Sequence, residues 1–198
     1  MTTLSQMAQM LPILQSEKNE QSGLALAQLA QRLLEDDLIN RPIVVLTGRG
    51  NKGAAGLIAA RQLLAAGAWV QILLTHPPAE QYAATLAPLL RIQELEAPLA
   101  WAEEGWELPP TDLVIDALVG GGLRGEPQGK VRELIQLANS SVAPVLSLHM
   151  PSGVELATGR IATPHIVAAA TLLAGQSAAT TLATLSERVQ QLFGELYE

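Results

Sequence analysis

The chain has 198 residues and a formal net charge of −7, with 48% hydrophobic and 16% charged residues. This composition predicts one globular domain with ample chain to bury a core, and it argues against disorder. The acidic balance, with no basic cluster, excludes non-specific nucleic-acid binding, and the absence of cysteine excludes disulfides, thiol catalysis and thiolate metal sites.

The first 40 residues are predicted to be helical, because their apolar residues recur at helical spacing. One helical face carries Met7, Met10, Leu11 and Leu14. A second apolar stripe ends before Arg41 and Pro42 and contains Leu26, Leu29, Ala30, Leu33 and Leu34. The N-terminus has no basic segment followed by an apolar core, so we expect no secretory signal and a cytoplasmic protein.

Strands and helices then alternate. A β-branched run at 43–47 predicts a strand, and a glycine-rich turn leads into a helix over 52–66 that Gly67 ends. The run 69–74 predicts a second strand, and Pro77 and Pro78 open a predicted helix over about 79–95. A nearly continuous apolar run at 113–119 predicts a third strand, of the kind covered on both faces.

The C-terminal part continues this alternation. A loop at 120–127 precedes a helix, a fourth strand is predicted at 144–148, and residues 165–173 supply a fifth strand. The helix before the fourth strand contains Val131, Leu134, Ile135 and Leu137. A closing helix is predicted from about residue 180, and the apolar residues on one side of it are Leu182, Leu185, Val189, Leu192 and Leu196. Residues 161–186 carry no charge, but their proline, histidine, glutamine and five threonines favour a buried strand and loop over a membrane span.

This alternation predicts an α/β fold, a three-layer αβα sandwich with a mostly parallel sheet and helices on both faces. Neither a repeat nor a linker interrupts it, so residues 1–198 are interpreted as one domain. That domain consists of a helical N-terminal segment, 1–40, and a core, 43–198.

Three glycine-bearing segments follow predicted strands: 48–56, 116–125 and 149–153. Because ligands of open α/β sheets bind beyond the carboxyl ends of the strands, the three segments predict one shared pocket. Gly48, Gly50 and Gly53 match the G-x-G-x-x-G pattern, which indicates either a phosphate-binding turn or simply a tight turn. A dehydrogenase with bound NAD is disfavoured, since the second strand ends at Leu74-Thr75-His76 without an acidic residue.

The same segments carry a family resemblance. The sequence reads Gly-Arg-Gly-Asn-Lys-Gly-Ala-Ala-Gly at 48–56, Ile-Asp-Ala-Leu-Val-Gly-Gly-Gly-Leu at 115–123, and His-Met-Pro-Ser-Gly at 149–153, followed by Thr158-Gly159. These motifs resemble those of the YjeF N-terminal domain family, the NAD(P)H-hydrate epimerases: G-P-G-N-N-G-G-D-G, V-D-A-x-x-G-x-G-L, D-x-P-S-G and T-G. Their order and spacing agree from about residue 43 to 175.

The resemblance implies a Rossmann-like fold, a homodimer, a bound potassium ion and a nucleotide substrate. The implied activity interconverts the R and S forms of NADH and NADPH hydrated at C6 of the nicotinamide ring, which is a metabolite-repair step. Asp116 and Ser152 correspond to the family's potassium ligands. The implied substrate-binding set, with Asn51 and Gly53 in the phosphate-side loop, is Gly50, Asn51, Lys52, Gly53, Ala55, Gly56, Gly120, Gly121, Gly122 and Leu123.

The departures from the family pattern that bear on its chemistry fall at four positions. Lys52 stands where the family has a potassium-ligating Asn, and Ala54 and Ala55 replace a Gly and an Asp. His149 replaces the Asp that contacts the substrate. Inversion at the hydrated carbon requires groups that move protons reversibly, so the loss of two acids puts the family activity in doubt.

Lys52 has three interpretations. A cation in the first turn of a helix opposes the helix dipole, so it requires an anionic neighbour. The family resemblance suggests Asp116 for this role, because that position would otherwise face a potassium ion. The Lys52 ammonium is then predicted to replace the potassium ion, so that this chain does not require potassium. The alternatives are a solvated lysine and a hook for a ligand phosphate.

His149 is the one candidate catalytic residue. Its ordinary pKa near 6.5 would allow acid–base chemistry in place of the family Asp. The alternative, a polar residue without a catalytic role, is favoured because the acid at position 55 is replaced as well. His76 and His165 have no partners at metal-ligand spacing and are interpreted as structural.

Two functions therefore remain open. The chain is either a divergent epimerase of hydrated NADH and NADPH, or a catalytically silent nucleotide-binding or scaffold protein on the same fold. We expect a small-molecule nucleotide ligand and no nucleic-acid or membrane partner.

Overall fold

The computed structural model describes residues 4–95, 98–101, 107–155, 158–173 and 182–198. The described strands are β1 (Pro42–Thr47), β2 (Trp69–Leu74), β3 (Leu99–Trp101), β4 (Leu113–Ala117), β5 (Val145–Leu148), β6 (Val154–Glu155), β7 (Arg160–Ile161), β8 (Ala170–Leu172) and β9 (Glu195–Tyr197). The described helices are α1 (Leu4–Leu33), α2 (Asn51–Ala65), α3 (Ala83–Gln93), α4 (Gly129–Ser140) and the single turn α5 (Glu187–Gln190).

Seven strands form one parallel sheet in the order β3-β2-β1-β4-β5-β8-β9, while β6 and β7 form a separate antiparallel hairpin. The chain moves outward from β1 to β2 and β3, and then returns to place β4 on the other side of β1. The strand order thus reverses between β1 and β4. In open α/β sheets, such a reversal opens a crevice at the carboxyl edge, where ligands bind.

Both faces of the sheet are covered, and β1 shows this most clearly. Ile43 and Val45 pack into the apolar cluster that includes α1 and α2, whereas Val44 and Leu46 pack into the cluster that includes α4. Alternate side chains of a strand point to opposite faces, so β1 must be apolar throughout. The same reason explains why every residue of β4, including Asp116, is buried.

The α/β fold and mostly parallel sheet predicted from the sequence are confirmed, and β1, β2, β4 and β5 lie within about two residues of their predicted bounds. In the N-terminal segment, predicted to be helical over 1–40, α1 is continuous from Leu4 but already ends at Leu33, and residues 1–3 lie outside the described set. Leu26, Leu29 and Ala30 are buried as their spacing predicted. Gly67 follows α2 with a φ of +93°, the left-handed conformation that ends helices.

The prediction of one long helix over 79–95 is wrong for the residues before Ala83. A single 3-10 turn at Pro78–Glu80 is followed by extended backbone at Gln81 and Tyr82, and α3 begins only at Ala83. The interruption is stabilised by side chains: Gln81 Nε2 donates to the carbonyl of His76, and Thr85 Oγ1 donates to the carbonyl of Tyr82. These local hydrogen bonds compete with helix formation.

The C-terminal prediction needs a larger correction. The described residues do not form one closing helix, because α5 leads through a 3-10 turn to Gly194, whose φ is +62°, and then to β9. A Cβ at Gly194 would lie 2.2 Å from the carbonyl oxygen of Ala169, so the chain passes too close to the sheet to continue as a helix. Leu196 therefore lies in a strand, and the predicted start near 180 falls on residues outside the described set.

The fifth strand is shorter than predicted, since only Ala170–Leu172 pair with β5. The sequence pattern also missed β3 and the hairpin of β6 and β7, which are only two or three residues long. Among the described residues, no helix is long and apolar enough to cross a bilayer.

Candidate functional site

The three glycine-bearing loops meet at the carboxyl edge of the sheet, as their positions after β1, β4 and β5 predicted. Gly48 makes this approach possible, because a Cβ there would lie 1.9 Å from the carbonyl oxygen of Leu118. Gly53 is constrained in the same way, since its Cβ would lie 1.7 Å from the carbonyl oxygen of Gly48. Only glycine fits either position, so packing explains two of the three glycines in the G-x-G-x-x-G pattern.

The N-terminus of α2 points into the place where the loops meet. Gly50 is its N-cap residue and supplies no side chain to bond the first backbone N–H groups. These N–H groups of a 15-residue helix carry partial positive charge. A cation in this first turn is unfavourable unless an anion lies close to it.

Lys52 is that cation, and its ammonium group is surrounded by protein oxygens. Nζ lies 2.8 Å from Asp116 Oδ2, 2.8 Å from the carbonyl oxygen of Met150 and 2.9 Å from Ser152 Oγ. The carbonyl oxygen of Val119 is 3.4 Å away. The Lys52 side chain is only 8% exposed, so this cluster joins α2 to the loops after β4 and β5 inside the protein.

Asp116 holds the centre of the cluster. Its carboxylate is completely buried and accepts hydrogen bonds from five donors: Lys52 Nζ, the backbone N–H groups of Leu118 and Ser152, and the hydroxyls of Ser147 and Ser152. A buried charge is stable only when it is paired and hydrogen-bonded, and Asp116 satisfies both conditions.

Burial is the main influence on the protonation of Lys52. It lowers the pKa of the ammonium below its usual 10.5, while the charge of Asp116 and the hydrogen bond to it act in the opposite direction. Each oxygen around Nζ can accept a hydrogen bond, which requires Lys52 to donate and therefore favours its charged form.

The oxygen atoms around Nζ are of the type that hard cations prefer, a carboxylate, a hydroxyl and backbone carbonyls. In this chain, however, the ammonium lies between them, so a potassium ion and the Lys52 side chain cannot occupy the same space. The residues present do not fit a potassium ion in addition to Lys52. The groups corresponding to the family's potassium ligands, Asp116 and Ser152, instead contact a side chain.

A cleft of about 530 Å³ opens beside this cluster, between the α2 turn and the loop after β4. Its lining includes much of the predicted substrate-binding set: Gly50, Asn51, Lys52, Gly120, Gly121, Gly122 and Leu123. The other two predicted glycines have packing explanations: Gly53 contacts Gly48, and a Cβ at Gly56 would lie 2.3 Å from the Ala117 side chain. Their contact with substrate stays a prediction.

The outer wall of this main cleft contains residues that the sequence pattern did not single out. Arg49 lies over the ring of Tyr82, with its guanidinium carbon 4.3 Å from the ring centre, and Arg124 lies on the opposite loop. His76 also lines the wall, and partial burial lowers its pKa from 6.5, an effect to which the charge of Arg49 adds. Nothing in the local spacing of Tyr82 or His76 indicates this role, because both reach the cleft through the bent segment before α3.

A smaller cleft of about 270 Å³ lies on the other side of Lys52, against α1. Ala55 and His149, the two positions that lack the family acids, both line it. His149 has a φ of +64°, and its backbone N–H donates to the carbonyl oxygen of Leu172, 2.6 Å away. The structure thus brings His149 and Ala55 to one wall, while the catalytic role of His149 stays a prediction.

The N-terminal helix contributes to this smaller cleft, which the sequence did not indicate. Asn19, which is 8% exposed, donates from Nδ2 to Asn51 Oδ1 over 3.2 Å and accepts from Gln15 Nε2. Nearby, a Cβ at Gly23 would lie 2.6 Å from Ile58, which shows how closely α1 packs on α2. Asn51 is therefore held from the side of α1.

His165 lies outside both clefts. Its Nδ1 is 2.8 Å from the carbonyl oxygen of Ala162, in agreement with a structural role.

Comparison with known proteins agrees with this architecture. The family model described as YjeF-related protein N-terminus matches residues 19–180. The NAD(P)H-hydrate epimerase of Pirellula staleyi is 35% identical over 153 residues, which cover 71% of this chain and 67% of that protein. The NAD(P)H-hydrate epimerase of Plasmodium knowlesi is 33% identical over 137 residues, 69% of this chain.

The relatives are longer than the matched region. This chain covers 46% of the Plasmodium knowlesi protein, and it covers 24% of a bifunctional NAD(P)H-hydrate repair enzyme of Escherichia coli, to which it is 37% identical over 63% of its own length. The crystal structure of yeast ynu0 matches with a TM-score of 0.68 and covers 80% of this chain and 70% of the yeast chain. At 21% identity that match establishes the fold alone.

Proposed function

We propose that this chain, which belongs to the YjeF-related protein N-terminus family, binds hydrated NADH or NADPH and interconverts their R and S forms at a low rate. The observation that carries the binding part is that the loops after β1 and β4 line one cleft at the carboxyl edge of the sheet. Its lining combines the N-terminus of α2 with a glycine-rich loop, at which backbone can approach a ligand closely. This arrangement suits the phosphates of a nucleotide.

The charges around the cleft support an anionic ligand. Arg49 and Arg124 face it from opposite sides, and Lys18 lines the smaller cleft. Among the described residues that line either cleft there is no aspartate or glutamate. The phosphates of a nucleotide would therefore meet helix N–H groups and cationic side chains in these clefts, and no carboxylate of the described residues that line them.

Titration with ADP-ribose and NADP, monitored by backbone amide NMR, tests binding. We expect shifts concentrated in residues 50–56 and 120–124. The double variant Arg49→Gln and Arg124→Gln should weaken binding by roughly 100-fold or more, because charge-assisted hydrogen bonds are each worth about 1.5–3 kcal/mol. Arg132→Gln is the matched control, since Arg132 is exposed on α4 and does not line the cleft. Absence of shifts in both segments at millimolar ligand would contradict the proposal.

A second candidate is a catalytically silent nucleotide-binding or scaffold protein. The loss of acids from the smaller cleft favours it, because Ala55 and His149 stand where the family resemblance places carboxylates. The two candidates differ in one assay, the equilibration of R and S hydrated NADPH followed by chromatography. Equilibration by wild type above the uncatalysed rate supports the weak epimerase, and binding without equilibration supports the silent protein.

The proposal includes a homodimer, as the family resemblance implies, and a cytoplasmic location. It includes neither a nucleic-acid nor a membrane partner, in agreement with the net charge of −7. Light scattering coupled to size exclusion tests the assembly: a mass near twice the 20.9 kDa of the chain supports the dimer, and a mass near that of one chain contradicts it.

A further inference from the structure

We infer that the Lys52 ammonium is a built-in cation that takes the place of an exchangeable monovalent ion at the base of the cleft. Oxygens from three separate parts of the chain surround Nζ: Asp116 on β4, Val119 in the loop after it, and Met150 and Ser152 after β5. Without a cation, the buried Asp116 carboxylate would lose its counter-charge and the carbonyl oxygen of Met150 would lose the ammonium donor, although four other hydrogen bonds to Asp116 would remain.

The hydrogen-bond count excludes the other two roles considered for Lys52. An ammonium has three protons, and the three oxygens at 2.8–2.9 Å accept all of them. Neither water nor a ligand phosphate then has a proton to receive from Nζ. An 8% exposed side chain is also unlike a solvated lysine.

The proton positions in the cluster are mutually consistent. Ser152 Oγ accepts from Lys52 and from the backbone N–H of Val119, and its own proton can go to Asp116 Oδ1. Asp116 Oδ2 accepts from Lys52 and from the Ser152 backbone. Such a fully satisfied network is the condition under which a buried ion pair holds one defined geometry.

Two unfavourable effects act on the Lys52 ammonium, and the ion pair with Asp116 must outweigh them. Lys52 is the second residue of α2, where a positive charge opposes the helix dipole, and its burial removes it from water. Among the described residues, Asp116 is its one charged partner. The cluster must outweigh both effects for Lys52 to remain there.

The stability of the protein should therefore not depend on dissolved monovalent cations. A free ion binds and leaves according to its concentration, whereas a side-chain ammonium is present once in every folded molecule. The position of the three loops, and thus the shape of both clefts, should not respond to potassium. This inference does not depend on the proposed function, because its readout is stability.

The test compares wild type with Lys52→Ala, which removes the ammonium and leaves the oxygen cluster. Melting temperatures are measured in potassium, ammonium, sodium and tetramethylammonium chloride at equal ionic strength. Wild type should melt at the same temperature in all four salts. Lys52→Ala should melt roughly 6–20 °C lower in tetramethylammonium, as expected for a buried charge that loses its partner. Potassium and ammonium should restore at least half of that loss with a saturable dependence on concentration.

Lys18→Ala is the matched control, since Lys18 is an exposed lysine on the wall of the smaller cleft. It should melt close to wild type and show no preference among the salts. A wild-type melting temperature that rises specifically with potassium would overturn the inference. So would a Lys52→Ala variant whose stability is the same in all four salts.

A folding failure of Lys52→Ala is also informative. Lys52→Asn, which keeps a polar side chain, is then refolded from urea in potassium and in tetramethylammonium chloride. Recovery in potassium alone supports the inference, and failure of both variants in both salts overturns it. A crystal of wild type grown in rubidium chloride gives a direct check: anomalous signal beside Asp116, with Lys52 directed to solvent, would contradict the built-in cation.

Discussion

The Lys52 ammonium and the Asp116 carboxylate form a buried ion pair, 2.8 Å between Nζ and Oδ2, that joins the first turn of α2 to the carboxyl end of β4. The two strands that flank the switch point of the sheet, β1 and β4, lead directly into the two loops that this pair connects. The pair therefore lies at the base of the cleft rather than on a surface. Its removal should affect the stability of the fold and the shape of the cleft together.

Replacement of Asp116 by Asn should be strongly destabilising. The variant leaves the Lys52 ammonium buried without its counter-charge, and the loss of one partner of a buried pair costs about 3–5 kcal/mol of unfolding free energy. Chemical denaturation measures the effect. Asp112→Asn is the matched control, because Asp112 pairs with Arg41 at a site where both side chains are 37% exposed, and such surface pairs are worth about 0–1 kcal/mol. Equal losses in the two variants would contradict the buried pair.

Gly53→Ala tests the close approach of the turn to α2. The added Cβ would lie 1.7 Å from the carbonyl oxygen of Gly48, so backbone must move, and we expect a loss of about 1–3 kcal/mol from overpacking. Gly121→Ala is the control, since a Cβ there has no neighbour within 4 Å among the described residues. Thermal unfolding of both variants checks the difference. A tolerated Gly53→Ala would show that the turn relaxes easily.

The sequence predicted the sheet because long apolar strands separated by amphipathic helices have few alternative arrangements. The family resemblance predicted that Asp116 and Lys52 are neighbours, because it makes Asp116 a potassium ligand and places Lys52 where the family has another ligand of the same ion. The position of Asn19 beside Asn51 was not predictable, because the contact depends on how α1 packs across α2 over a separation of 32 residues.

The errors near the chain end have a different origin. The apolar spacing from Leu182 to Leu196 fits a helix. The sequence does not show, however, that the backbone at Gly194 packs against Ala169. That constraint comes from the sheet edge, where Glu195–Tyr197 pair with β8. Tertiary pairing therefore decided the conformation of a segment whose local pattern favoured a helix.

The imidazole of His76 should titrate below pH 6.5. Burial is the larger cause of its lowered pKa, the charge of Arg49 adds to it, and Glu80 opposes it. Arg49→Gln should therefore raise the midpoint part of the way to 6.5, and Glu80→Gln should lower it further. Proton NMR of the ring resonances measures all three midpoints. Shifts of equal sign in the two variants would contradict this electrostatic account.

The same shift has a consequence for stability. Because the folded-state pKa of His76 is lowered, the unfolded chain binds this proton first as the pH falls below 6.5. The contribution of His76 is thus fully present above pH 6.5 and is lost as the pH falls through the folded-state pKa. His76→Gln should reduce the dependence of the unfolding free energy on pH in this window. If the dependence is unchanged in His76→Gln, groups other than His76 cause it.

Epimerase activity should rise when the acids of the smaller cleft are restored. Wild type carries Ala55 and His149 on that wall, and general acid–base groups are commonly worth about 10²–10⁴-fold in rate. The triple variant Lys52→Asn, Ala55→Asp and His149→Asp, assayed in potassium buffer, should recover activity within that range. Single changes should recover little, because such groups act as a unit.

The matched control for this triple variant replaces the same three residues with Asn, which keeps side-chain shape without the acids. Position 149 tolerates either residue, since Asp, Asn and His all accept its φ of +64° more readily than most side chains. The assay is the equilibration of R and S hydrated NADPH by chromatography, with the melting temperature of each variant as a check on folding. If the Asn control recovers as much activity as the Asp variant, the acids are not the missing groups. If wild type already turns over as fast as a relative with intact motifs, the silent-protein candidate is wrong and His149 is the acid–base residue.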